Sequence, residues 1–232
     1  MQQVRLLEIL HGLADDREAG QGSGARLVSA CVSVLAVTGA GIMIMIDGGH
    51  RGTLGSSDVT MGVVEELQFT LGEGPCLDAY RLGQPVFAPA LADSNDQRWP
   101  SFTAPAVEAG VEAIFGFPLQ VGAVRLGALD VYLDRPGALD EAQLADAFVM
   151  ADVVTHEILE LQAAAPEDAL ASELDTVENL RAEVHQASGM LAVQLDIPIA
   201  DALIRLRAYT YAENRRVNAV ARDVVAGRLL IR

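Results

Sequence analysis

Residues 111–133 read VEAIFGFPLQVGAVRLGALDVYL. Val111, Ala113, Phe115, Phe117 and Leu119 fall at every second position, so they share one face of an extended strand. Gly122 turns the chain, and residues 124–133 form a second strand. Together they make a hairpin of a sheet. Upstream, Gly39 and Gly41 precede the run IMIMI at 42–46. A short continuous apolar run between turn signals predicts a strand buried on both faces. Asp47-Gly48-Gly49 is a turn signal, and it predicts a hairpin to a strand near 51–55.

Helical segments surround these strands. Residues 2–18 can form a helix with Val4, Leu7 and Leu10 or Leu13 at helical spacing, and GQGSG at 20–24 breaks it. Residues 25–37 and 59–70 read as further helices. LGEGPCLDA at 71–79 is a tight loop feeding a short helix, and GQPVFAPAL at 83–91 is a short edge strand limited by its prolines. A polar loop, ADSNDQRWPSF, precedes a helix near 103–110. Asp140 with Gln143 forms a capping-box pattern, followed by Leu144, Phe148, Ala151, Val154, Ile158 and Leu161 at spacings of three and four. The segments before residue 162 predict a mixed α+β domain.

Pro166 interrupts the helical pattern in AAAPEDALASE at 163–173. Leu170, Leu174, Val177, Leu180, Val184, Ala187 and Leu191 then predict a long helix with an apolar seam suited to a coiled-coil dimer. Asp196-Ile197-Pro198 ends it. Ile199, Ala202, Leu203, Leu206 and Tyr209 mark a second helix, ENRR at 213–216 a polar basic turn, and Val217, Val220, Ala221, Val224 and Val225 a third. A bundle this small usually needs a partner for stability.

The chain has 232 residues and is 51% hydrophobic, enough for a sizeable core. The apolar run from Cys31 to Ile46 is broken by Ser33, Thr38, Gly39 and Gly41. It is shorter than the ~20 apolar residues that span a bilayer. MQQVRLLEILHGLADD carries early acids and lacks the pattern of a signal peptide, so a cytoplasmic protein without membrane contact is expected. Cys31 and Cys76 are far apart and form no CxxC or Cys/His cluster, which argues against structural zinc. All sixteen basic residues are Arg. The absence of Lys excludes Schiff-base chemistry and a P-loop lysine.

The net charge of −16 is unevenly spread. Residues 1–156 hold eight Arg and twenty acids, residues 157–180 no Arg and seven acids, and residues 181–232 eight Arg and five acids. A negative body with a +3 tail is compatible with nucleic-acid binding through the tail alone.

Residues 181–225, RAEVHQASGMLAVQLDIPIADALIRLRAYTYAENRRVNAVARDVV, resemble the ANTAR domain. Gln186-Ala187-Ser188-Gly189 stands where that family has a QAKG-like core. Asp201-Ala202-Leu203-Ile204-Arg205-Leu206-Arg207 matches its EAF-LLR-like helix, and Asn214-Arg215-Arg216-Val217-Asn218-Ala219-Val220-Ala221 its NRKL-x-x-VA pattern. Two positions depart from it. Ser188 replaces the usual Lys and removes a cation, and Pro198 replaces the usual Ser or Thr before the second helix. LGEGPCLDAYRLGQPV and FGFPLQVGAVRLGALDVYLDRPG are similar to GAF domains, a likeness that covers residues 20–162.

The resemblance implies residues 1–162 as a GAF-like sensor domain, 163–180 as a helical linker or coiled coil, and 181–232 as an ANTAR-like RNA-binding domain. It implies paired RNA hairpins in nascent transcripts as partners, antitermination as the outcome, an unidentified small-molecule or redox signal, and a homodimer. No cofactor is identified. Gln186, Arg205, Arg207, Tyr209, Asn214, Arg215 and Arg216 are the candidate RNA contacts. Arg holds phosphates and stacks on bases, Tyr209 can stack, and Gln186 can bond a base edge. Each also has a structural reading, a solvated helix face for the arginines and Gln186, a core position for Tyr209.

Cys76 is a candidate redox-sensing thiol beside a helix start, or a packed small side chain. Trp99 and Phe115 are candidates for a sensor pocket, or core aromatics. His50 stands in a turn with no second ligand in view and reads as solvated. Glu73, Asp78, Asp93 and Asp96 show no spacing that selects an acid/base pair, so no catalysis is assigned. Two alternatives stay open: a thiol enzyme resembling GAF-type free methionine sulfoxide reductases, and a DNA-binding helix-turn-helix regulator.

Overall fold

A computed structural model describes residues 22–46, 49–93, 97–164, 183–213, 215 and 217–231. The predicted helix at 2–18, the Asp47-Gly48 turn, Asp96, the seam from Leu170 to Leu180, Asn214 and Arg216 lie outside the described residues. Two compact units result, the first holding all the strands and the second the helical stretches from residue 183 onward.

In the first unit the order is α1 (Ser23–Leu35), β1 (Gly39–Ile46), β2 (Gly49–Ser56), α2 (Val59–Leu71), α3 (Pro75–Leu82), β3 (Val86–Ala88), α4 (Thr103–Glu108), β4 (Ala113–Val121), β5 (Val124–Leu133) and α5 (Glu141–Ala164). The strands form one antiparallel sheet in the order β2-β1-β5-β4-β3. β5 is therefore central. Prolines 85 and 89 flank β3 and hold it to three residues at the edge.

Alternation sorts the side chains onto two faces. Ile42 and Ile44 of β1, Phe115, Phe117 and Leu119 of β4, and Leu129, Val131 and Leu133 of β5 point to one side. There they meet Leu27, Cys31 and Leu35 of α1 and Met150, Val154 and Ile158 of α5. Phe117 packs edge-on against Phe148 of α5 with ring centroids 5.7 Å apart. Met43 and Met45 are also buried, so β1 is covered on both faces as the IMIMI run predicts. The register places Gly41 of β1 and Gly116 of β4 on either side of Asp130.

The capping box forms as expected. Asp140 Oδ1 accepts from the Gln143 N–H at 2.8 Å, and Gln143 Oε1 accepts from the Asp140 N–H at 3.0 Å. The Gln143 amide also donates to the Leu35 carbonyl at 2.8 Å, where α1 ends. One side chain thus satisfies the start of α5 and the end of α1.

In the second unit, residues 183–195 are helical (α6), followed by α7 (Ile199–Ala212) and α8 (Val217–Val225). Val184, Ala187 and Leu191 of α6, Ala202 and Leu206 of α7, and Val217, Val220, Ala221 and Val224 of α8 are buried, at spacings that put them on one face of each helix. Asp196 ends α6 in the left-handed region with φ 53°, and the Ile197 N–H returns to the Ala192 carbonyl at 3.1 Å. Among the described residues no helix is long and apolar enough to cross a membrane.

Candidate functional site

The sheet face opposite α1 and α5 carries Met43, Ala128, Asp130 and Tyr132. α2 begins over this face because Asp58 caps it, its Oδ1 accepting from the Met61 N–H at 2.9 Å. The Tyr132 hydroxyl donates to the same oxygen at 3.2 Å. Burial pushes the Tyr132 phenol up, and the Asp58 charge adds to the shift. One turn on from Met61, Glu65 accepts from the Ser56 hydroxyl at 2.6 Å. Next, Gln68 is fully buried and donates from Nε2 to Asp130 Oδ2 at 2.5 Å.

The loop at 72–76 depends on this glutamine. Gly74 takes φ +134°, and a Cβ there would collide with the Gln68 side chain. The chain passes close to the amide, so Gln68 Oε1 accepts from the Cys76 N–H at 2.9 Å. Pro75 is the first residue of α3, where its missing N–H costs nothing. α3 then lies on β4 and β5, and its close approach is possible because Gly116 has no side chain. A Cβ at Gly116 would stand 2.7 Å from the Pro75 carbonyl oxygen.

Two further contacts pin α3 and its loop. Trp99 Nε1 donates to Asp78 Oδ2 at 2.8 Å, and the Ser101 N–H donates to Glu73 Oε2 at 2.9 Å. Trp99 is buried, packs edge-on against Phe102 and carries the Arg98 guanidinium 4.4 Å above its ring.

Asp130 is 1% exposed on the central strand. Burial raises its carboxyl to about 7, against the opposing effects of hydrogen bonds from Gln68 and Cys76. It can therefore exchange a proton near neutral pH. The Cys76 thiol is fully buried, and its sulfur also touches Met43, with Sγ 3.4 Å from Sδ. Cys31 lies on the other side of the sheet, where burial pushes its thiol to about 12. Among the described residues no group of three or more His, Cys, Asp or Glu is arranged to hold a metal ion.

Cys76 and Trp99, singled out from sequence, are thus both tied to α3. Phe115 is not with them. It points to the α1–α5 side, where its ring meets Phe87 at 5.9 Å. Asp130 and Gln68 were missed by the sequence reading. The signal was available for Asp130: a lone charge within the apolar strand segment GALDVYL. Nothing in an ordinary helical Gln68 distinguishes it before the sheet is assembled.

In the second unit, Gln186 and Arg205 are exposed and Arg207 and Tyr209 half-buried. Ser188 is 2% exposed and donates to the Val184 carbonyl at 2.8 Å. Ser188 thus faces inward and bonds its own helix. Arg215 is exposed and bonds Asp223 at 2.6 Å, and Arg222 pairs with Glu183 at 3.3 Å, joining α8 to α6.

An antiparallel five-stranded sheet in the order β2-β1-β5-β4-β3, with helices on both faces, is the architecture of a GAF domain. The chain belongs to the GAF domain family, whose model matches residues 25–164. The structure is similar to the GAF domain of a phosphoenolpyruvate-protein phosphotransferase from Coxiella burnetii, with 15% identity, TM-score 0.50, and coverage of 68% of this chain and 95% of that one. It is equally similar to the corresponding GAF domain from Acinetobacter, with 13% identity, TM-score 0.50, and coverage of 69% and 96%. A domain of a sensor histidine kinase from Sinorhizobium meliloti shares 21% identity at TM-score 0.47, with coverage of 59% and 88%. No curated protein is significantly similar to the chain in sequence.

Proposed function

We propose that this protein is a signal-responsive regulator whose GAF domain, residues 1–162, receives a small-molecule or redox signal. Residues 181–232 are an ANTAR-type domain that binds RNA hairpins in nascent transcripts and promotes antitermination, with residues 163–180 as the helical connection in a cytoplasmic homodimer. The observation that carries this reading is the exposure of Gln186 and Arg205, one from each of two motif segments, while Ala187, Ala202 and Leu206 beside them are buried. Exposed amide and guanidinium groups on a packed helical scaffold suit recognition of RNA bases and phosphates.

The test is selection from a pool of short RNA hairpins by the full chain at two salt concentrations, followed by sequencing. Enrichment of a common loop in paired hairpins, weakened by salt and by Arg205→Ala without loss of fold, is the expected result. No enrichment at low salt overturns it. Duplex DNA competing as well as hairpin RNA favours the helix-turn-helix alternative. The thiol-enzyme alternative is disfavoured by the placement of Cys31 and Cys76 on opposite sides of the sheet, where neither serves as the other's resolving thiol.

A further inference from the structure

The last turn of α8 holds a small charge cluster that the RNA-binding reading leaves unexplained. Gly227 takes φ 68° after the helix ends, and the N–H groups of Arg228 and Leu229 return to the Asp223 carbonyl at 2.8 and 3.1 Å. This turn swings the Arg228 side chain back over α8. Its Nη2 and Nε lie 2.8 and 2.9 Å from Asp223 Oδ1. From the other end of the helix, Arg215 reaches the same carboxylate, with Nη2 2.6 Å from Oδ2. The Arg215 backbone is fixed by its N–H bond to the Thr210 carbonyl at 3.0 Å. Two guanidinium groups thirteen positions apart in sequence thus converge on one anionic group.

Asp223 does little to hold the unit together. The Arg222–Glu183 pair joins two helices, whereas both partners of Asp223 flank its own helix. The cluster is solvent-facing, with side chains 38% exposed for Arg215 and 60% for Arg228, and exposed ion pairs exchange partners at little cost. Hydrogen bonds from Arg215, then from Arg228, hold the Asp223 carboxyl below its ordinary range, so it stays charged. A carboxylate between two forked donors occupies the position of a phosphate bonded by the same donors.

We propose that Arg215 and Arg228 form a clamp for one phosphate group, and that the Asp223 carboxylate fills this clamp until the phosphate displaces it. The proposal rests on the RNA-binding reading for the source of the phosphate, the RNA backbone. It adds Arg228 as a contact and Asp223 as an internal competitor.

The experiment uses the full chain and three variants, Asp223→Asn, Arg228→Gln and the double variant. Asp201→Asn, exposed in the first turn of α7, controls for loss of one negative charge. Folding of each is checked by circular dichroism. Binding of a labelled pool of short RNA hairpins is measured across a salt series. Asp223→Asn should bind about two- to fivefold tighter than wild type and tighter than Asp201→Asn. Arg228→Gln should bind more weakly, with a log–log salt slope smaller by about 1, and the double variant should lose the gain.

Equal affinities for Asp223→Asn and Asp201→Asn, or an unchanged slope in Arg228→Gln, overturn the clamp while leaving RNA binding intact. A second arm titrates inorganic phosphate against the Nε–H resonances of Arg215 and Arg228. If no hairpin binds any variant, the RNA reading fails, and shifts at lower phosphate in Asp223→Asn than in wild type keep the clamp as a site for the free anion. Absence of shifts in that case overturns the clamp too.

Discussion

Gln68 Nε2 stands 2.5 Å from Asp130 Oδ2, while Oε1 of the same amide holds the Cys76 N–H at 2.9 Å. One buried side chain thus ties the central strand to the start of α3. Whatever alters the carboxyl alters the amide, and through the amide the position of the loop at 72–76.

The first prediction concerns that carboxyl. Its folded-state value of about 7 lies above the ordinary Asp range near 4, so the folded chain binds the proton more tightly than the unfolded chain. Stability from this group is fully present below about pH 4 and is lost as pH rises through about 7. Asp130→Asn keeps an acceptor for Gln68 and has no charge to bury. Its stability relative to wild type should rise between pH 5 and pH 8 by on the order of a few kcal/mol, read from urea midpoints. A difference independent of pH would refute the burial argument.

Gly116→Ala places a methyl 2.7 Å from the Pro75 carbonyl oxygen, a backbone atom at the start of α3. The strand is central to its pairings and does not give way freely, so the helix must shift. The expected loss is about 1–3 kcal/mol, seen as a lower urea midpoint with unchanged slope. An unchanged midpoint means that α3 is not seated as closely as described.

Asp140→Ala and Gln143→Ala separate two roles at the start of α5. The first removes a helix cap and should cost about 1 kcal/mol. The second removes the reciprocal bond and the link to the Leu35 carbonyl, and should cost about 2 kcal/mol. Thermal unfolding of both variants checks the order. Equal losses would show that the link to α1 contributes nothing.

Both thiols are fully buried. Neither should react with an aromatic disulfide in the native protein over the time in which free cysteine reacts completely, and both should react in urea. One thiol reacting under native conditions, absent in Cys76→Ala, would show that α3 lifts from the sheet and would favour a redox signal at that position.

Much of the first unit was legible because its signals are local. Alternation in 111–119, the IMIMI run, the prolines around β3 and the Asp140–Gln143 pair each specify their own element. The site was less so. Cys76 and Trp99 drew attention through neighbouring motif residues and aromatic character. Phe115 is one of several aromatics whose side of the sheet follows from register, and register puts it with α5. Gln68 acquires its role from a partner 62 positions away, and no local pattern encodes such a distance. In the second unit, the pairing of Arg228 with Asp223 depends on the turn at Gly227, where the reading of helices by periodicity stops, and Arg215 joins it from before the helix.

The junction between α6 and α7 contains only Asp196, Ile197 and Pro198. Asp196 sits in a narrow left-handed well, Ile197 is tethered to Ala192, and the proline ring locks its own φ near −56°. Few soft torsions are left. The direction in which α7 leaves α6 is thus set by three consecutive residues, which makes this elbow the fixed angle of the unit.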